Sequence, residues 1–166
     1  GSLFGRTGRS IKGRFTDNND QMIEPYVVPR PEVIDSVKRL IATGASVEVK
    51  ASAARAAGVL RAKPAVPALV EATRSKETPL IAEALVAMQK IGDPAAATSI
   101  SFLLQDLNER VQIAAIETSG LLRNKDALPG LREALSRARG EKVRAAALSA
   151  IGMLPDEASR PLYDTY

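Results

Sequence analysis

Three carboxylates, Glu71, Glu133 and Asp164, fall on stretches of helical periodicity and could be turned toward one face. Paired carboxylates do acid–base work when a dry pocket raises the pKa of one of them. The chain has no histidine and no cysteine, which removes imidazole acid–base machinery, thiolate nucleophiles and the usual zinc sites. Solvated charges on exposed helix positions are the plainer reading of the three acids. No Asp-rich loop has the spacing of an oxygen-ligand metal site. The run Gly5-Arg-Thr-Gly-Arg-Ser10 has some likeness to a phosphate loop, but it lacks G-x-x-x-x-G-K-[ST] and no strand precedes it. No catalytic residue, metal or cofactor is therefore assigned, and the expectation is a protein that is not an enzyme.

Positive charge offers a second chemistry. Arg61, Lys63, Lys90, Arg123 and Lys125 all fall at breaks between paired helical stretches, where stacking would gather them on one basic edge facing phosphates or an acidic protein. Helix C-termini also attract Lys and Arg electrostatically, which accounts for most of them without a ligand. The first sixteen residues add Arg6, Arg9, Lys12 and Arg14 with no acid, interleaved with Phe4 and Phe15. Such an arm can meet nucleic acid, a membrane surface or a partner subunit, or serve only as a tether; four charges are few for a lipid-binding cluster. The net charge of +4 is mild for a nucleic-acid binder. No apolar run approaches the roughly 20 residues of a membrane span. The absence of cysteine suits any compartment, with the cytoplasm slightly favoured.

The elements that would position these groups are helices. Aromatics are scarce (three Phe, three Tyr, no Trp), so alanine and leucine must do the packing, which favours helices over a sheet. The length suits one domain. Residues 1–30 differ from the rest: glycines, the turn-rich Thr16-Asp-Asn-Asn-Asp20, and Pro25, Pro29 and Pro31 predict an extended arm. That arm could fold back to cover one end of the array through Ile23, Tyr26, Val27 and Val28. Gly1-Ser2 without Met has the look of a tag remnant, and Leu162-Tyr-Asp-Thr-Tyr166 stops inside a helix-like pattern, so a segment of a larger protein is expected.

From Pro31 an apolar stripe of Val33, Ile34, Val37, Leu40 and Ile41 ends at Gly44, predicting a capping helix over 31–43. Repeats follow. Val49, Leu80, Val111 and Val143 open four first helices at steps of 31, 31 and 32 residues. Nine residues on stand Gly58, Gln89, Gly120 and Gly152, then Leu60, Ile91, Leu122 and Leu154. Pro67, Pro129 and Pro161 start second helices, with Thr98 in that place in the second unit. Asp93, Asn108 and Asp126 are expected N-caps. Small residues such as Ala53, Ala57, Ala84, Ala115 and Ala147 share one face, where neighbouring helices can approach closely. The units fall at about 47–77, 78–108, 109–140 and 141–166, the last truncated. A two-helix unit at this period predicts an α-solenoid, each unit burying its apolar face only against its neighbours.

Val49-Lys50, Ala53-Ala54, Gly58, Leu60, Ala65-Val-Pro-Ala-Leu69, Ile91-Gly-Asp-Pro94, and Val143-Arg144 with Gly152 and Leu154 resemble the HEAT-like repeats first named from phycobilisome lyases. The resemblance covers residues 45–163 and implies an all-α, right-handed superhelix of helical hairpins with the arm outside it. Gln89 departs at the glycine position, as do Arg61 and Arg123 where Gly is usual; these departures are expected to affect local turns. The resemblance further implies a non-catalytic, bacterial protein-binding scaffold whose second helices line the concave side. There Glu71, Arg74, Ser101, Gln105, Arg132, Glu133 and Ser136 form a mixed polar surface suited to a protein or peptide partner. Nucleic-acid binding through the basic edge and arm, and a part in a bilin-lyase-like enzyme, are the two alternatives.

Overall fold

The computed structural model describes residues 29–155. Regular structure among the described residues is helical throughout: eight α-helices and three short 3-10 turns, with no strand. Helix α1 (Pro31–Thr43) starts on a proline, whose fixed φ suits a first turn, and buries Val37 and Ile41. The first helices of the units are α2 (Val47–Val59), α4 (Thr78–Ile91), α6 (Glu109–Leu121) and α8 (Glu141–Met153). The second helices are α3 (Val66–Ala72), α5 (Ala96–Ser99) continued by a 3-10 turn over Ser101–Gln105, and α7 (Leu128–Arg137). Each first helix packs on the next, α2 on α4, α4 on α6 and α6 on α8. The all-α solenoid expected from the recurrence is thus the fold observed. The arm residues Arg6, Arg9, Lys12 and Arg14, together with Pro161 and Asp164, lie outside the described residues.

Repetition in the sequence becomes repetition in the core. Leu69, Ile100 and Leu131, at one register position of three second helices, are completely buried, as are Leu85, Ile116 and Leu104. Leu80, Val111 and Val143 are buried at the heads of their helices, whereas Val49 remains exposed in the first unit, beside the turn at Gly44. Core volume comes from many small side chains rather than a few aromatic ones, which brings backbones close together.

Closest approach occurs at one recurring offset. A Cβ built on Gly58 would stand 2.9 Å from the Ala87 Cα, and one on Gly120 would stand 2.7 Å from the Ala150 Cα. Position nine of one first helix therefore meets position seven of the next, backbone to backbone. In the second unit the same contact is made by Gln89 and Thr118, with Gln89 Nε2 donating to Thr118 Oγ1 at 2.8 Å. This corrects the expectation that Gln89 alters a local turn: it lies at the joint between two units. Gly152 holds position nine of α8 but is exposed, with no later first helix against it among the described residues.

The turns that close each first helix explain the two arginines. Arg61 and Arg123 have φ of 49° and 54°, the left-handed region that Gly92 enters at 71°. Around Arg61 the Ala62 N–H reaches the Ala57 carbonyl at 2.9 Å and the Arg61 N–H reaches the Gly58 carbonyl at 3.0 Å, the double bond pattern that ends helices with a left-handed residue. Caps also differ from expectation in two places. Asn108 caps α6, accepting from the Arg110 and Val111 amides. Asp93 is not the cap of α5: its Oδ1 accepts from the Ala95 amide within the preceding turn, and Ala95 itself holds the cap position. Asp126 is not a cap: Asn124 Oδ1 accepts its amide at 2.9 Å, because Asn124 has the extended backbone a cap needs.

Where Thr98 replaces proline, the second helix breaks at Ile100. Thr98 Oγ1 donates to the Ala95 carbonyl and Ser101 Oγ to the Thr98 carbonyl, so hydroxyls compete with helical amides for the same acceptors. Gln112 Nε2 then satisfies the Leu104 carbonyl at 3.0 Å.

Candidate functional site

The second helices bring three of the seven expected face residues into one working patch. Glu71 on α3 and Arg74 in the turn that follows it lie three residues apart, with Arg74 Nε 3.6 Å from Glu71 Oε1. The Arg74 guanidinium also lies 5.1 Å above the Phe102 ring, a cation–π distance. Ser101 sits exposed beside Phe102, its hydroxyl turned back to the Thr98 carbonyl. Phe102 is 47% exposed and is the one aromatic among the described residues. Sequence reading passed over it, although an unpaired aromatic on an otherwise alanine- and leucine-packed chain is a visible signal.

Next to this pair runs a furrow of about 410 Å³ between α3 and α5. Val66, Pro67 and Val70 form one wall, Ala95, Ala96 and Ser99 the other, and Glu71 and Asp93 also line it. The furrow exists because the second unit offers small side chains here. At the following junction Leu104 Cδ1 fills the space, lying 2.8 Å from where a Cβ on Gly130 would stand.

Arg132, Glu133 and Ser136 are exposed on α7, one unit further along. Glu133 pairs with Arg137 at 3.2 Å, and Ser136 Oγ donates to the Glu133 carbonyl. Gln105 does not belong with them as a donor: its Nε2 is buried without a hydrogen-bond partner, because the 3-10 turn points that amide inward.

The basic edge is only partly assembled. Arg61, Lys63, Arg123 and Lys125 are exposed at the turns between paired helices. Lys90 instead turns to the first-helix side, its Cδ 3.5 Å from a Cβ position on Gly58, lining a furrow with Arg55 and Glu83. There Arg55 Nε donates to Glu83 Oε2 at 2.8 Å, an ion pair stitching the first two units. Asn124 Nδ2 does the same for the next two, donating to the Pro94 carbonyl at 2.9 Å.

None of this assembles reacting groups. Among the described residues no three His, Cys, Asp or Glu side chains cluster closely enough to hold a metal, and no helix is long and apolar enough to cross a membrane. What the second-helix face offers is an exposed aromatic, a stacked guanidinium, two carboxylates and an apolar cleft, which is the chemistry of a docking surface.

No curated protein matches the chain. The family model for HEAT repeats matches residues 98–163, from within α5 through α8 and beyond the described residues. HEAT repeats generally serve as non-catalytic scaffolds that bind protein partners. That match, with the earlier helices built on the same register, supports a HEAT-repeat family for the chain.

Proposed function

We propose that the chain is a non-catalytic scaffold that binds a protein partner, or an extended peptide of one, along its second-helix face. Arg74 stacked on the half-exposed Phe102 carries this reading. Aromatic residues and arginine are enriched at the cores of protein interfaces, and a rigid stacked pair loses little conformational freedom on binding. In this repeat family the second helices line the concave side, where a ligand can touch several units at once.

Site-directed photo-crosslinking tests the face. A photoreactive phenylalanine analogue placed at Ser101 or Arg132 should crosslink a protein in the source cells, and one placed at Ser52 or Glu117 on first helices should not. Phe102→Ala should weaken that capture severalfold with helicity unchanged. Crosslinks confined to the first-helix positions would overturn the proposal.

A further inference from the structure

The furrow beside Phe102 has a composition that selects its occupant. Its two charged lining residues are both carboxylates, Glu71 and Asp93, and no lysine or arginine lines it. Arg74, the cation beside Glu71, stays 3.6 Å from the carboxylate while its guanidinium spreads over the Phe102 ring. One oxygen of Asp93 accepts from the Ala95 amide at 3.1 Å, which limits how far the carboxylate can turn away from the furrow. Between the acids the walls are apolar, built from Val66, Pro67, Val70 and Ala96. An aliphatic side chain leaving water gains on those walls. A cation beside it meets two carboxylates, Glu71 largely exposed and Asp93 half-buried, whereas an acid there would be repelled.

We infer that this furrow receives an extended segment of a partner protein in which an aliphatic residue is followed by lysine or arginine. The aliphatic side chain seats on Val70 and Ala96, and the cation lies between Glu71 and Asp93. The inference rests on the reading of the second-helix face as the binding face and narrows it to a ligand class.

The test is a titration of the ¹⁵N-labelled full chain with three capped peptides, identical Ser/Ala backgrounds around Val-Lys-Val, Val-Gln-Val or Val-Glu-Val. The lysine peptide should shift the amides of Val70, Glu71 and Ala95–Ser99 and bind roughly fivefold tighter than the glutamine peptide, the scale of two surface ion pairs. The glutamate peptide should bind weakest. In a Glu71→Gln, Asp93→Asn double variant, which keeps the acceptor for the Ala95 amide and so the fold, lysine and glutamine peptides should bind alike. Equal binding of the three peptides to the unaltered chain, or no shift in the furrow, would overturn the inference. Shifts at Phe102 or along α7 without the furrow would leave the second-helix face standing and reject this ligand class. Shifts confined to the first helices would reject both.

Discussion

Arg123 holds a backbone conformation that glycine reaches at no cost, with φ at 54°. A left-handed L-residue costs about 1–2 kcal/mol, and replacing it by glycine returns about 0.5–1 kcal/mol of that to the unfolded chain's entropy. Arg123→Gly should therefore raise stability by about 0.5–1 kcal/mol, read as a higher urea midpoint; a lower midpoint would show that the arginine side chain holds the turn. Glycines at position nine make a sharper comparison. Gly120→Ala drives a methyl to 2.7 Å from the Ala150 Cα, a backbone atom that cannot step aside, and should cost about 1–3 kcal/mol. Gly152→Ala, at the same register but exposed, should gain about 0.5–1 kcal/mol from helix propensity alone. Thermal melts of the two variants moving in the same direction would contradict the packing described. The sequence showed that these glycines recur; it could not show that Gly58 and Gly120 each stand backbone to backbone against an alanine.

Elements were legible where period and punctuation agreed. Pro31, Pro67 and Pro129 each sit in the first turn of an α-helix, and Gly92 closes α4 in a left-handed cap. They fix φ or permit it locally, so one sequence suffices to read them. Gln89 was visible as a departure, but its meaning was not. The residue that answers it, Thr118, stands in the next unit at a different register, and only the nine-on-seven offset connects the two. For the same reason the furrow went unread: it results from what Ala95, Ala96 and Ser99 leave empty, and an absence of volume has no motif. The Gln89–Thr118 pair is open to a direct measurement. A double-mutant cycle with Gln89→Ala and Thr118→Val should return a coupling of about 0.5–1.5 kcal/mol by urea unfolding, the worth of one neutral hydrogen bond. A coupling near zero would mean that the pair adds nothing beyond the other contacts of each group, such as the bond from Thr118 Oγ1 to the Ala114 carbonyl.

At the scale of the molecule, stability in a stack of hairpins is a sum over neighbours, so the weakest joint decides how the chain opens. Two joints bury glycine against alanine, backbone to backbone; the α4–α6 joint instead holds a polar pair and packs fewer residues of the two helices together. The second helix beside it is also the broken one, α5 with its 3-10 continuation. The rod should therefore part between its second and third units before it melts elsewhere. Native-state hydrogen exchange distinguishes this from a single cooperative block, because opening free energies are read amide by amide. Gly120→Ala weakens the α6–α8 contact, on the far side of the soft joint. If the joint uncouples the halves, the variant should speed exchange of the buried amides in α6 and α8 while those of α2, near Ala54 and Ala57, keep their rates. If every protected amide speeds up by the same factor, the described helices unfold as one and the polar joint is no seam. The division also bears on binding. The furrow and the Arg74–Phe102 pair both lie within the first two units, whereas Arg132 and Ser136 lie beyond the joint. A partner that touches both halves would have to hold them in one relative setting, and should slow exchange at Gln89 and Thr118 without contacting either.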